Sequence, residues 1–122
     1  MRIIMACLAD GEDRRLMLEA AVEAGFAAEM STSLFHACRR LLRQDYDLLI
    51  VDADSCSGEP EHVAETVMEL APHLPLAVLS EDENRRKLAL SQGAADVLER
   101  PLRREELVTL LRKLDAQQTM KR

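Results

Sequence analysis

Residues 47–52 read DLLIVD, a continuous aliphatic run between two acids. Its four consecutive aliphatic residues lack polar alternation, which is typical of a strand buried on both faces of a parallel sheet. Similar continuous runs are RIIMAC at Arg2–Cys7 and PLAVLS at residues 75–80, and shorter apolar runs lie at residues 27–30 and 95–98. The sequence therefore predicts a sheet of five strands.

Segments with helical periodicity separate these strands. In each segment, apolar residues recur at three- and four-residue spacing, which places them on one face of a helix. Strands that alternate with helices predict right-handed connections and a doubly wound α/β fold, with helices on both faces of a five-stranded parallel sheet. The apolar stripes are Leu16, Met17, Ala20, Ala21 and Ala24; Leu34, Ala37, Cys38, Leu41 and Leu42; Val63, Val67 and Ala71; and Leu107, Leu110, Leu111 and Leu114.

Length, charge and composition limit the possible functions. The 122 residues suffice for one domain, which we expect at residues 1–116, followed by a polar tail or the start of a linker at residues 117–122. A net charge of −6 and an aromatic content of 2% argue against direct nucleic-acid binding. No apolar run is long enough to cross a bilayer and no signal peptide is recognisable, so we expect a cytoplasmic protein without a membrane partner.

The three cysteines are odd in number and widely spaced, which predicts reduced thiols rather than a disulfide framework or a zinc site. Cys7 ends the first predicted strand, and Cys38 lies on the apolar stripe of the second helix, so both are expected in the core. Cys56 lies among serines in the loop that is expected after the third strand. There we expect an exposed thiol.

Candidate site residues lie where the strands end, because ligands of doubly wound sheets bind outside the carboxyl ends of the strands. Asp52 closes the third aliphatic run, where a carboxylate escapes the cost of burial inside the strand. A solvated strand-end acid or a helix N-cap is the alternative for this residue. Ser80 ends the fourth run and has the alternative role of capping the next helix. Arg100 follows the fifth run and could equally be a surface charge.

From Arg2 to about Leu114 the sequence resembles the receiver domain of two-component response regulators. The run that ends at Asp52 is similar to the strand that presents the phospho-acceptor, and the run that ends at Ser80 is similar to the strand with the switch hydroxyl. GAADVLERPL, at residues 93–102, resembles the family's fifth strand and its basic residue before proline. This resemblance implies a flavodoxin-like receiver fold and a phosphoprotein in a two-component phosphorelay.

The resemblance also implies roles for single residues. Asp52 would accept the phosphoryl group, and Ser80 and Arg100 would bind its oxygens. Mg²⁺ would be held by Asp52, by the backbone of Asp54 and by Asp10. A shift in the loop could instead bring Glu12 or Asp13 close to Asp52.

Departures from the family pattern identify an atypical or degenerate receiver. Leu8 and Ala9 stand where the family has two adjacent acids, and neither can supply the oxygen ligands that Mg²⁺ requires. Arg100 replaces the usual lysine, which is not a conservative exchange because a planar guanidinium differs from a compact ammonium. Val97 stands at the position of the switch aromatic. From these departures we expect a weakened Mg²⁺ site and slow phosphotransfer.

Two versions of a signalling function follow from the resemblance. In the first, a histidine kinase or phosphotransfer protein donates the phosphoryl group to Asp52. The domain then contacts an output domain or partner protein through the fourth helix, fifth strand and fifth helix, with homodimerisation as a further option. Its own chemistry would be at most slow autophosphorylation and autodephosphorylation. In the second version, the domain is a phosphorylation-independent interaction or dimerisation module, a pseudo-receiver.

A third hypothesis is a small flavodoxin-like ligand-binding protein or enzyme. A flavin would need a phosphate loop rich in Ser, Thr or Gly after the first strand, together with aromatic residues beside its ring. The stretch LADGED, at residues 8–13, and the three aromatic residues of the chain supply neither. The sequence thus favours a signalling module.

Overall fold

The sheet is parallel throughout. The computed structural model describes the backbone of residues 2–120 and the side chains of residues 2–117. Within that part of the chain the strands pair in the order β2-β1-β3-β4-β5, which confirms the five-stranded parallel sheet. The strands are β1 (Arg2–Cys7), β2 (Phe26–Ser31), β3 (Leu48–Asp52), β4 (Leu76–Leu79) and β5 (Asp96–Leu98).

Helices connect every pair of consecutive strands. They are α1 (Gly11–Ala24), α2 (Leu34–Leu41), α3 (Ala53–Cys56), α4 (Val63–Leu70), α5 (Glu83–Ser91) and α6 (Arg104–Met120), with a 3-10 turn at Pro60–His62. The helix expected between the fourth and fifth strands is α5, and the helix expected after the fifth strand is α6. They are the predicted fourth and fifth helices, because the short α3 was not predicted. The segment of α3 was expected to be a loop.

The expectation that Cys56 is exposed is wrong. The residue is 7% exposed and belongs to the core, because α3 begins directly after β3 and turns this side chain inward. Cys7 is buried as expected, and Cys38 is half-buried against the same core.

The core has two halves, one on each face of the sheet. In β1, Ile4 and Ala6 face the half that contains the apolar sides of α1 and α6. Met5 and Cys7 face the other half, which is closed by α2, α3, α4 and α5. Since alternate residues of a strand point to opposite faces, the continuous aliphatic run of β1 is what a sheet covered on both sides requires.

The last helix extends past the predicted end of the domain. α6 continues without a break through residue 116 to Met120, so no helix end marks that boundary. A tail or linker after the domain stays a prediction, and residues 121–122 of the proposed tail lie outside the described residues. Among the helices described, none combines the length and apolar character that crossing a membrane requires.

Gly25 ends α1 in the left-handed conformation that glycine adopts readily. Its φ is 84°, and its N–H donates to the carbonyls of Ala21 and Val22. A Cβ at this position would meet no atom within 4 Å, so a side chain would be opposed only by backbone strain. That strain is about 1 kcal/mol or slightly more for an L-residue.

We predict that Gly25→Ala lowers the free energy of unfolding by about 1 kcal/mol, because alanine resists the left-handed conformation. Gly58→Ala is the matched control, since Gly58 has no positive φ and a Cβ there would also meet no atom within 4 Å. Urea unfolding followed by circular dichroism measures both variants. Equal stability of the two would contradict the strain argument.

Candidate functional site

Asp52 lies at the topological switch point of the sheet. The chain leaves β1 towards β2 on one side and returns to β3 on the other side of β1, so a crevice opens between the ends of β1 and β3. In this register Cys7 of β1 lies beside Val51 of β3, and Asp52 pairs with Leu79 of β4. The carboxylate thus emerges between the loops that follow β1 and β4.

Both carboxylate oxygens of Asp52 are occupied. Oδ1 accepts hydrogen bonds from the backbone N–H groups of Asp54 at 3.1 Å and Ser55 at 3.3 Å, so that Asp52 caps α3. Oδ2 accepts a hydrogen bond from Nη2 of Arg100 at 2.6 Å. The residue is 0% exposed, so it is not a solvated strand-end acid. It is the N-cap of α3 and forms a buried ion pair with Arg100.

Arg100 joins two buried carboxylates. Besides Asp52, it binds Oδ2 of Asp13 through Nε at 3.0 Å and through Nη2 at 2.6 Å. Asp13 lies in the first turn of α1 and is 4% exposed. A guanidinium suits this position because its planar array of N–H donors can serve both acids at once. The surface-charge alternative for Arg100 is therefore wrong.

The pKa values of this cluster reflect burial and pairing. Burial alone would lower the pKa of Arg100, but its hydrogen bonds to Asp52 and Asp13 outweigh burial and raise it. Burial raises the pKa of the Asp13 carboxyl above its ordinary value, although the hydrogen bond from Arg100 acts in the opposite direction. The arginine therefore keeps its charge, and burial of Asp13 is stabilised by that charge.

Asp13, and not Asp10, is the acid that Arg100 links to Asp52. Asp10 is exposed and is the N-cap of α1, where its Oδ1 accepts the N–H of Asp13 at 3.0 Å. An N-cap side chain turns back towards the third residue of its helix, and here that third residue points its own side chain into the site. The sequence contains part of this signal, since an aspartate before a helical segment with acids in its first turn marks a helix start.

The loop after β1 offers little for Mg²⁺. Leu8 is fully buried in the apolar core, and Ala9 has no side-chain oxygen. Asp13 and Asp52 share the guanidinium of Arg100. No group of three or more His, Cys, Asp or Glu residues in the described part of the chain could hold a metal ion. Because Mg²⁺ needs a near-octahedral set of oxygens, these donors do not fit it.

A second polar network centres on Asp54, a role that the sequence did not predict. Oδ1 of Asp54 accepts hydrogen bonds from the hydroxyl of Ser80 at 2.8 Å and from Nη1 of Arg85 at 2.9 Å. Its Oδ2 accepts the N–H of Glu81 at 2.9 Å. Only the backbone of Asp54 was expected in the site, and Arg85 was not among the predicted site residues. No local pattern relates Asp54 to a serine that lies 26 residues later.

Ser80 is buried, and its hydroxyl binds Asp54 rather than Asp52. The same oxygen accepts the N–H of Asp82 at 3.1 Å, while the N–H of Ser80 donates to the carbonyl of Leu98 on β5. The N-cap of α5 is Asp82, so the alternative capping role of Ser80 is wrong. Ser80 therefore fastens the loop after β4 to α3 and β5.

These bonds also set the titration of Asp54. Burial alone would raise the pKa of its carboxyl, but the N–H of Glu81, the hydroxyl of Ser80 and the guanidinium of Arg85 together lower it. The charged form of Asp54 is thus favoured in the folded state. Its contribution to stability is present above the ordinary aspartate value of 3.8 and is lost as the pH falls through the lower folded value.

The remaining predicted positions are structural. Val97 is half-buried against the core and has no ring to move. Burial raises the pKa of the Cys7 thiol to about 12 and that of Cys56 to about 11. Both thiols are protonated near neutral pH, so thiolate chemistry is not expected of them.

Solved structures of response regulator receiver domains share this fold. A CheY-like receiver domain protein from Methanospirillum hungatei matches with a TM-score of 0.89 at 13% identity, covering 100% of this chain and 99% of the other. The beryllofluoride-activated NtrC4 receiver domain dimer matches with a TM-score of 0.86 at 14% identity, covering 97% and 99%. NtrX from Brucella abortus matches with a TM-score of 0.83 at 17% identity.

The match to NtrX covers 99% of this chain but only 28% of NtrX. No family model matches the sequence, and no curated protein sequence does so either. At these identities the similarity establishes the fold of the chain, and the fold is the flavodoxin-like receiver fold that the sequence predicts.

We predict that Arg100→Met lowers the free energy of unfolding by about 3 kcal/mol, because Asp52 and Asp13 would stay buried without their cation. Arg103→Met is the control, since Arg103 is an exposed residue close by in the chain. Chemical denaturation of both variants at neutral pH measures the difference. If Arg100→Met were no less stable than Arg103→Met, the ion pair would not stabilise the fold.

Asp54→Asn is expected to lower the free energy of unfolding at pH 7 by about 1–2 kcal/mol, because the charge that holds Arg85 and the N–H of Glu81 is removed. The deficit relative to the unmodified protein should shrink as the pH falls below 3.8, where the carboxyl of the unfolded chain becomes protonated, and should disappear below the lower folded value. Urea titrations at several pH values measure it, with Asp45→Asn in an exposed loop as control. A deficit that is independent of pH would contradict a role for the charge.

Proposed function

We propose that this chain is a receiver-type signalling domain that works through protein contacts and does not depend on phosphorylation of Asp52. The observation that carries the proposal is the ion pair between Arg100 and Asp52 at 2.6 Å. In this arrangement a guanidinium holds the acid at the phospho-acceptor position. The domain is then a pseudo-receiver of the two-component type, and we place it in the cytoplasm.

The environment of Asp52 supports this proposal. A carboxylate that attacks a phosphoryl donor needs an oxygen that the donor can approach. Here Oδ1 is bound by two backbone N–H groups and Oδ2 by Arg100, and the side chain is 0% exposed. Attack would require the loss of at least one of these bonds.

The charge balance of the site points in the same direction. Phosphoryl transfer depends on cations that neutralise the oxygens of the transferred group. Arg100 already binds Asp52 and Asp13, so its positive charge is shared between two carboxyl groups before any phosphoryl group arrives. Leu8 and Ala9 add no ligand for a metal ion. A phosphorylated Asp52 would thus lack the counter-charge that it needs.

The contact surface that we propose is the side formed by α5, β5 and α6. Leu90 of α5 is 47% exposed. Arg86 lies one turn earlier on the same side of α5 and pairs with Glu99 after β5. An output domain or partner protein would bind this side, and dimerisation is one way in which the domain could use it. The domain itself would have no enzymatic activity.

A second candidate function is a working phospho-acceptor, which the position of Asp52 favours. The residue ends β3 at the switch point of the sheet, with Arg100 in contact and the loop of Ser80 nearby. In this version a histidine kinase or phosphotransfer protein would donate the phosphoryl group. Arg100 would have to leave one carboxylate oxygen and bind the new phosphoryl oxygens.

Treatment with a small phosphoryl donor separates the two functions. We predict that acetyl phosphate yields no covalent adduct by intact mass, with or without Mg²⁺, and that beryllofluoride leaves the amide NMR spectrum unchanged. The reason is that both oxygens of Asp52 are occupied. Asp52→Asn, which cannot form an acyl phosphate, is the control.

A Mg²⁺-dependent adduct that disappears in Asp52→Asn would contradict the pseudo-receiver proposal and would support the second candidate. Arg100→Lys sharpens the comparison, because a more compact ammonium restores the residue that the family usually has. A gain of adduct in that variant alone would show that Arg100 is what blocks the chemistry.

A further inference from the structure

We propose that the outer face of α2 binds the groove between β5 and α6 of a second copy of this chain, so that copies associate head to tail. The inference rests on the proposed function only in using the β5 and α6 side as a contact surface. The α2 face is here defined by Phe35, Arg39, Leu42 and Arg43, and the β5–α6 groove by Leu98, Glu105, Glu106 and Leu110.

The α2 face is both apolar and basic. Phe35 is 68% exposed and Leu42 is 70% exposed, and their seven-residue spacing places them on the same side of the helix. Arg39 lies between them on that side, and Arg43 lies next to Leu42. Large apolar side chains that are exposed together mark contact sites more often than single ones do.

The α2 segment is basic, although the chain as a whole is acidic. Residues 34–43 contain three arginines and no acid, whereas the chain carries a net charge of −6. Arg40 is used within the fold, where it pairs with Glu29 at 3.6 Å. Arg39 and Arg43 are exposed and form no salt bridge with any side chain of residues 2–117. Their charges are therefore free for a partner.

A groove of complementary chemistry lies on the same chain. It has a volume of about 360 Å³ between β5 and the first half of α6, with Leu98 and Leu110 among its apolar lining residues. Glu105 and Glu106 line the same groove, and both are exposed. The groove thus offers apolar surface beside acids, as the α2 face offers apolar side chains beside arginines.

The two surfaces lie at opposite edges of the sheet. α2 packs beside β1 and the edge strand β2, on one face of the sheet, whereas the groove borders the other edge strand, β5, and α6 covers the other face. One molecule therefore cannot bring its own two surfaces together. A contact between different surfaces of two copies is heterologous, so each pair keeps one α2 face and one groove free for further copies.

In such a contact the aromatic and the basic side chains of the α2 face would have different roles. Phe35 would enter the groove and supply most of the buried apolar area, as an aromatic anchor does. Arg39 and Arg43 would face Glu105 and Glu106 and set the orientation of the two copies, because rim charges add specificity more than affinity. The net charge of −6 opposes association at long range, so we expect a weak complex.

Sedimentation velocity on the full chain, over a wide range of concentration and without phosphoryl donor or Mg²⁺, tests the proposal. The unmodified protein is expected to show a mass that rises with concentration beyond that of a dimer. Phe35→Ser combined with Arg39→Ser removes the α2 face, and Glu105→Lys combined with Glu106→Lys removes the groove. Each double variant alone should associate at least tenfold more weakly than the unmodified protein.

An equimolar mixture of the two double variants gives the sharpest readout. One variant keeps its groove and the other keeps its α2 face, so the mixture should form a heterodimer and nothing larger. Leu18→Ser combined with Val22→Ser is the matched control, because these residues form another exposed apolar pair, on α1, and their loss should leave association unchanged. Circular dichroism checks that every variant is folded.

Three results would overturn the proposal: an unmodified protein that is monomeric at all concentrations, a mixture that does not associate, or an α1 control that loses association. None of them bears on whether Asp52 accepts a phosphoryl group, since that is measured by the adduct. Failure of the head-to-tail contact and failure of the pseudo-receiver function are therefore distinguishable.

Discussion

The fold of the site depends on the guanidinium of Arg100, which lies between the carboxylates of Asp52 and Asp13. Two buried carboxylates that share a site repel each other and are poorly solvated, so a cation between them is required if both are to stay charged. Arg100 follows β5, Asp52 ends β3, and Asp13 begins α1, so this one side chain ties together three elements that are distant in sequence. The resemblance to receivers implies a bound metal ion at this site. In this chain the guanidinium of Arg100 supplies a positive charge there.

The network of Asp54 completes the arrangement on the other side of Asp52. Asp54 holds the hydroxyl of Ser80 and the guanidinium of Arg85, which connects α3 with the loop after β4 and with α5. Its charge is favoured by these donors, and Ser80 is engaged with Asp54 instead of facing Asp52. Both loops that border Asp52 are therefore held by internal partners. This arrangement supports the proposal that the domain acts through protein contacts.

The sequence predicted the five strands and most of the helices between them well, because the patterns that indicate these elements are local and repeated. The continuous aliphatic run that ends at Asp52 required a strand buried on both faces, and the apolar stripes between the runs required helices. The helix α3 was missed because four residues leave no periodic pattern and its start depends on the Asp52 cap. Asp13 was named only as a substitute for Asp10, and the contact of Asp54 with Ser80 was missed, because side-chain direction and long-range pairing are set by the packed fold.

The most direct test of the account is NMR of the arginine side chains with and without Mg²⁺, because the central claim is that Arg100 serves as the resident cation of the site. The account predicts a resolved Nε–H resonance for Arg100 that exchanges slowly with water, since its donors are bound by Asp13 and Asp52, and that stays in place when Mg²⁺ is added. Arg103, which is exposed, gives the rapidly exchanging reference. An Arg100 resonance that exchanges as fast as that of Arg103, or one that is displaced by Mg²⁺, would contradict the account.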